Sequence, residues 1–258
     1  MRIFASRLFK SVRSAEPAAE RAWTIPAGRR VYAVGDIHGR LDLTEQLIGM
    51  IEQDDAERGA AETMIVFLGD LVDRGPDSCG VIDFLMRYRE GPRECVFLAG
   101  NHDEIFARAA SGDREAAATL HRMGGRETAL SYGISGEEYD RGDYGDLAAL
   151  LAERVPAAHT RFMRSWPDWH QIGDYVFVHA GIKPDRPMSE QRPGDLRWIR
   201  SAFLGHEECH GIMVVHGHTI TDGPDIRSNR IGIDTGAYRT GKLTALGLEG
   251  SERWMLST

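Results

Sequence analysis

The chain has 258 residues, 42% of them hydrophobic and 27% charged, with a formal net charge of −8. That length can bury a substantial core, and the balance of apolar and charged residues excludes the disordered and fibrous classes. The acidic charge argues against generic nucleic-acid binding, which depends on basic surface, although arginines can still be gathered in one pocket. Cys79, Cys95 and Cys209 are scattered and odd in number, a pattern of reduced thiols in the cytoplasm rather than a disulfide framework or a zinc site. No run reaches the ~20 apolar residues of a membrane span, so stable membrane insertion is not expected.

The first 28 residues read as an N-terminal extension. Arg2, Arg7, Lys10 and Arg13 surround Phe4, Leu8 and Val12, which would share one helical face able to touch an acidic membrane surface. Ser14 to Glu20 has linker composition, and the whole stretch is expected to be flexible. Residues 29–258 are expected to form a single domain.

Within it, the β-branched and aromatic run Arg30 to Val34 predicts a buried strand, GDIHG a loop, and the spacing of Leu43, Leu47, Ile48 and Ile51 a helix. Met64 to Leu68, GDLVDRG and the helix Ser78 to Tyr88 repeat the unit. So do Glu94 to Ala99, GNHD and a helix from Glu104. Three β-loop-α units imply a parallel sheet with chemistry along its carboxyl edge. Residues 108–167 have a helical pattern broken by glycines such as Gly124 and Gly125, a helical insertion over one side of the site. Strands resume at Tyr175 to Val178 before HAG, followed by a helix carrying Leu196, Trp198, Ile199 and Phe203. Further strands are predicted at Ile212 to Val215 before HGHT, at Arg230 to Ile233 before DTGA, and near Leu243 to Leu248 and Arg253 to Leu256. These late strands suggest an antiparallel half that completes a two-sheet sandwich. The predicted class is α/β, two sheets flanked by helices.

Five strand ends terminate in metal-binding residue types: Asp36 with His38, Asp70, Asn101 with His102, His179, and His218. Each is flanked by glycine, which lets backbone approach closely. One histidine after a strand means little; five such ends on one edge point to a metal centre. With GDIHG, GDLVDRG, GNHD, HAG and GHT in that order, the chain resembles the PPP family of metallophosphoesterases. GGRETALSYG, LRWIR and IDTGAYRTGKLTAL resemble its bacterial branch, which holds phage-type protein phosphatases and symmetrical dinucleoside tetraphosphatases.

The resemblance implies Asp36, His38 and Asp70 around one metal, and Asp70, Asn101, His179 and His218 around a second, with Asp70 bridging. His216 is then left as an outer or packing residue, and Asp234 is a candidate outer partner of a ligating histidine. The mixed oxygen and nitrogen set suits two divalent ions, Mn²⁺ first, with Fe or Zn²⁺ also compatible. Two dications about 3.5 to 4 Å apart would hold a hydroxide that attacks phosphorus in line. They leave a negative excess once Asp36, Asp70, hydroxide and a phosphate dianion are counted. Arg74 and Arg200 are the candidate phosphate clamps, with Arg197 the rival of Arg200. His102 is the candidate acid for the leaving oxygen, kept charged by Asp73. Asp103 stands where the eukaryotic enzymes have Glu, outside the ligand set.

The expected activity is hydrolysis of phosphoserine and phosphothreonine in proteins or peptides. The alternative substrate is a dinucleoside polyphosphate, cleaved symmetrically, and a non-catalytic binding module is the least favoured reading. The preference rests on residues 108–167, whose aromatics, Tyr132, Tyr139, Tyr144, Phe162 and Trp166, form no obvious base-stacking cluster.

Overall fold

Both faces of the first strands carry apolar side chains, and the fold covers both. In the computed structural model, which describes residues 22–258, β1 (Arg29–Val34), β2 (Glu62–Phe67) and β3 (Glu94–Phe97) run parallel. Helices α1 (Leu41–Glu57), α2 (Ser78–Tyr88) and α3 (Asn101–Ala109) follow them in turn. Tyr32, Val34, Ile65 and Phe67 face these helices, while Val31, Ala33, Met64 and Val66 point the other way into a layer shared with a second sheet. This is the period-two alternation of a strand buried on both sides.

Five helices occupy the stretch read as an insertion: α4 (Arg114–Met123), α5 (Arg126–Ser131), α6 (Gly136–Arg141), α7 (Tyr144–Arg154) and α8 (Ala157–Arg164). Their apolar residues, among them Leu120, Leu147, Leu151 and Phe162, join the core cluster that holds Tyr32 and Phe67. The second sheet contains β4 (Trp169–Ile172), β5 (Tyr175–Val178), β6 (Met213–His216), β7 (Asp225–Ile226) and β8 (Arg230–Gly232) in the order β4-β5-β6-β8-β7. Between β5 and β6 lie α9 (Pro193–Trp198) and α10 (Ser201–Leu204), which cover the sheet's outer face through Leu196 and Phe203. After β8 come α11 (Ala237–Thr240), β9 (Thr244–Glu249) and β10 (Glu252–Ser257). The result is a two-sheet sandwich with helices on both outer faces.

The late strands do not form an antiparallel half. β5, β6 and β8 are parallel, and only the short edges β4 and β7 run against them. The β9–β10 hairpin leaves that sheet and pairs beside β1, giving the order β10-β9-β1-β2-β3. The stretches 179–212 and 217–229 are long enough for the crossovers that parallel pairs need. β4 escaped the sequence reading although Gly173 and Asp174 make a two-residue hairpin loop after it, with Gly173 at φ 57°. The helix predicted through Leu196 and Phe203 is broken at Arg200, whose φ and ψ are −133° and −98°. Trp198 is consequently 41% exposed instead of facing inward.

The basic segment and linker at residues 1–21 lie outside the described residues. Residues 22–28, grouped with them in the sequence reading, pack onto the fold: Trp23 and Ile25 are buried between the sheets, and the Ile25 N–H donates to the Gly250 carbonyl at 3.0 Å. Among the described residues, no helix is long and apolar enough to cross a membrane.

Candidate functional site

Five non-glycine residues among those described have positive φ: His38 (47°), Asp70 (52°), Asp73 (74°), Arg74 (70°) and His218 (63°). All five are candidates named from the sequence. A side chain in the left-handed region is unfavourable and persists where surrounding bonds hold it. Asp103 provides three of those bonds, accepting the N–H groups of Asp70 at 2.7 Å, Leu71 at 2.9 Å and Gly100 at 3.1 Å. The Asp70 carbonyl in turn accepts the His38 N–H at 2.9 Å, and both Asp36 carboxylate oxygens accept the His218 N–H at 3.1 Å. Any side chain at Gly100 would strike the Asp70 carboxylate, and any at Gly217 the Asp36 carboxylate, so these loops touch only because both positions are glycine.

These braces turn the loop side chains toward one another. His179 Nδ1 donates to the Leu68 carbonyl at 2.9 Å, which turns Nε2 toward the other loop side chains. That atom lies 3.0 Å from Asn101 Oδ1, 3.2 Å from His218 Nδ1 and 3.3 Å from Asp70 Oδ2. Four buried polar atoms therefore converge, an arrangement that a proton or a cation among them holds together. His38 repeats the theme: Nδ1 donates to the Val72 carbonyl at 2.8 Å, and Nε2 lies 3.7 Å from Asp70 Oδ2 and 4.0 Å from Asp36 Oδ2. Two donor groups, His38–Asp70–His102 and Asp70–His179–His218, thus share Asp70. Asp36 stands beside the first group and Asn101 beside the second. The donors fit two hard or borderline cations.

Charge is distributed accordingly. Burial pushes the His38 imidazole down to about 3, and burial together with His179 does the same for His218, so both are neutral ligand types at ordinary pH. Burial also opposes charge on His179, but the Asp70 carboxylate lifts it to about 9. Burial and Asp234 hold the Asp36 carboxyl well above the ordinary carboxylate range. Burial alone would raise Asp70 too; His179 and His102 instead hold it well below that range.

Arg74 reaches into the cluster, with Nη1 2.7 Å from His38 Nε2 and Nη2 2.8 Å from His102 Nε2. His102 Nδ1 is 2.7 Å from Asp73 Oδ2. A guanidinium only donates, so His102 Nε2 accepts here and the proton lies on Nδ1 toward Asp73. Asp73 thus fixes the orientation of the His102 imidazole.

The model of the calcineurin-like phosphoesterase family matches residues 29–233. The chain belongs to that family. A relative from Anoxybacillus flavithermus, named bis(5'-nucleosyl)-tetraphosphatase PrpE (asymmetrical), is 26% identical over 233 residues, which is 83% of this phosphoesterase and 88% of the relative. A solved candidate diadenosine tetraphosphatase is 22% identical with a TM-score of 0.60, covering 88% of this chain and 93% of its own. A solved cold-active protein tyrosine phosphatase is 19% identical with a TM-score of 0.57, covering 90% and 81%. These two likenesses describe the fold.

The geometry separates the two rival arginines of the phosphoesterase. Arg197 is engaged by Asp168 at 2.6 Å and Glu104 at 3.2 Å. Arg200 is exposed, close enough to His218 for its charge to act on that imidazole, and has no ion pair among the described residues. His216 packs edge-on against Phe203 at 5.1 Å, away from both donor groups. Among the described residues Asp234 bonds no histidine: its Oδ1 accepts the Gly236 N–H at 2.9 Å, its Oδ2 is buried without a partner there, and its field acts on Asp36.

Three residues around the site were not singled out for it from the sequence. Asp103 braces Asp70, as described. Thr128 on α5 donates to Asp73 Oδ1 at 2.8 Å and accepts the Asp73 N–H at 2.9 Å. Tyr238 on α11 lies edge-on to His38, ring centroids 5.4 Å apart, with the Arg74 guanidinium carbon 5.0 Å from its ring. The signals for them were the last residue of GNHD, the motif GGRETALSYG around Thr128 and the aromatic after IDTGA.

Proposed function

We propose that this phosphoesterase hydrolyses dinucleoside tetraphosphates with two divalent cations held at the strand ends. The observation that carries the reading is the pair of donor groups sharing the Asp70 carboxylate. Asp36, His38 and Asp70 would hold one cation, and Asp70, Asn101, His179 and His218 the other. Manganese suits this donor set, as iron or zinc would. Bound there, such ions supply acidified water and Lewis acidity toward phosphoryl oxygens.

The chain's own residues do the rest. Arg74 and Arg200 neutralise phosphoryl oxygens as paired donors. Once Arg74 has moved from His102 Nε2 to the substrate, that nitrogen takes up a proton from solvent, and His102, turned by Asp73, delivers it to the leaving oxygen. An anhydride leaving group needs this proton less than an alkoxide does.

Two observations support the dinucleotide over the phosphoprotein expected from the sequence. The relatives of similar length carry the tetraphosphatase name. In addition, of the aromatics whose failure to form a stacking cluster favoured phosphoprotein, Tyr132, Tyr139, Phe162 and Trp166 are buried core residues and Tyr144 is exposed, while Tyr238 stands at the site from a different element. The relatives are named asymmetrical, whereas the sequence resemblance points to symmetrical cleavage.

A substrate panel with manganese supplied tests the reading: diadenosine tetraphosphate, phosphoserine and phosphothreonine peptides, and p-nitrophenyl phosphate. The dinucleotide is expected to be cleaved with the highest kcat/KM. Rapid turnover of the peptides beside an inert dinucleotide would return the protein to the phosphoprotein phosphatases.

A further inference from the structure

Beside the donor groups lies a cavity of ≈ 590 Å³ walled by Tyr238 and Pro76 and by the charged side chains Arg40, Asp42, Glu45 and Asp77. Its chemistry differs from that of the strand-end site. Three carboxylates face one guanidinium, and that guanidinium is committed: Arg40 Nε and Nη2 donate to the two Asp42 oxygens at 2.8 and 2.7 Å, and Nη1 donates to the Ala237 carbonyl at 2.8 Å. The last bond anchors α11, the helix that carries Tyr238. Glu45 has no hydrogen-bond or ion-pair partner among the described residues, and Asp77 commits Oδ1 to the Gly80 N–H at 2.7 Å, leaving Oδ2. Such walls repel a phosphate. They suit an uncharged group rich in hydroxyl and amine donors that also offers a flat face to Tyr238.

We propose that this cavity seats one nucleoside of the substrate, its base on Tyr238 and its ribose hydroxyls or exocyclic amine toward the free carboxylate oxygens. The inference rests on the dinucleoside reading above and adds a cleavage position to it. Tyr238 is in contact range of both His38, which would hold a cation, and Arg74, which meets the attacked phosphoryl oxygens. A nucleoside on that platform is therefore bonded directly to the attacked phosphorus. The oxygen of water forms a bond to the α-phosphorus of the seated nucleotide, and the bond from that phosphorus to the oxygen bridging to the β-phosphorus breaks. The electron pair leaves with the nucleoside triphosphate, which takes up a proton, while the water's proton is released. One dinucleoside tetraphosphate and one water yield one nucleoside monophosphate and one triphosphate. Symmetrical cleavage would instead place two phosphates between the seated nucleoside and the broken bond.

The test uses the full chain with manganese, comparing wild type, Tyr238→Ala and Tyr238→Phe on diadenosine tetraphosphate and on inorganic tetraphosphate, which has no base. Tyr238→Ala is expected to raise KM for the dinucleotide roughly five- to hundredfold more than for inorganic tetraphosphate, the size of one lost base stack. Tyr238→Phe, which keeps the ring, should restore the wild-type ratio. In isotopically labelled water the label should enter the nucleoside monophosphate. Equal losses on both substrates would show that Tyr238 only supports His38 and Arg74, and label in two diphosphates would overturn the cleavage position. If wild type ignores the dinucleotide altogether, the functional reading fails, and adenosine titration then judges the cavity separately. Binding by wild type that is lost in Tyr238→Ala keeps the subsite; no binding by wild type removes it.

Discussion

The Thr128 hydroxyl donates to Asp73 Oδ1 at 2.8 Å, and Asp73 Oδ2 lies 2.7 Å from His102 Nδ1. Thr128 comes from α5, Asp73 from the loop after β2 and His102 from α3, so three separate segments determine how one imidazole is aimed. Ser78 completes the cage by bonding Thr128 Oγ1 at 2.8 Å and accepting the Asp73 N–H at 3.1 Å. His102→Asn is expected to retain metal and lose about 10² to 10⁴ in kcat on alkyl phosphates, the contribution of a general acid. Thr128→Val should lose a fraction of that, with Thr128→Ser near wild type. Both losses should shrink on p-nitrophenyl phosphate, whose leaving group needs no proton. Equal losses on alkyl and aryl esters would remove the acid role from His102 and the aiming role from Thr128.

Asp70 is the one carboxylate common to both donor groups. Asp70→Asn is expected to reduce bound metal from two ions to at most one weakly held ion, read by elemental analysis after dialysis. A variant that keeps two tight ions would exclude Asp70 as the bridge.

Asp103→Asn acts one step further out. It removes one of the two carboxylate oxygens that accept the Asp70, Leu71 and Gly100 N–H groups and sets an amide donor against them. The cost is expected at about 1–3 kcal/mol in a denaturation midpoint, with weaker metal retention. Unchanged stability and metal content would show that the left-handed turn at Asp70 stands without this brace.

The two arginines should separate cleanly. Arg200→Ala is expected to lower kcat/KM roughly ten- to hundredfold, as for one charge-assisted hydrogen bond to phosphate. Arg197→Ala should leave kcat/KM within about threefold and cost about 1 kcal/mol of stability, because its partly buried pairs with Asp168 and Glu104 are structural. The reverse pattern would exchange their roles.

Far from the site, Arg30 is 1% exposed and bonds Asp55 Oδ1 at 2.7 Å and Glu249 at 2.8 Å. Burial would raise the Asp55 carboxyl, but Thr63, Arg30 and Arg93 together hold it below the ordinary range. A carboxyl depressed in the folded state contributes stability above its unfolded value, near pH 4, and loses it as pH falls through the folded value. Asp55→Asn should therefore cost about 1–3 kcal/mol at neutral pH, and the gap to wild type should narrow below about pH 4. A gap independent of pH would mean that the hydrogen bonds, not the charge, do the stabilising.

The sequence by itself determined the strand-loop-helix rhythm, the sandwich class and the identity of the residues at the loop tips. Those are local properties: Gly35, Asp36 and His38 follow a run of apolar residues whose period declares a strand, and glycine beside a metal-type ligand needs no distant partner to be noticed. Which sheet a late strand joins was not legible, because β6, β8 and β9 are all buried strands and pairing depends on where the crossovers carry the chain. Only the tertiary structure decided how the loop tips are held. Asp103 reaches back 33 residues to the Asp70 N–H, and Thr128 reaches 55 to Asp73. Nor could residue type alone distinguish Arg197 from Arg200, since the difference lies in which of them meets Asp168 and Glu104. Tyr238 looked like any aromatic after a strand until folding set it against His38. Residue chemistry is written one position at a time, whereas the partner that orients, neutralises or exposes a side chain is chosen by packing across the whole chain.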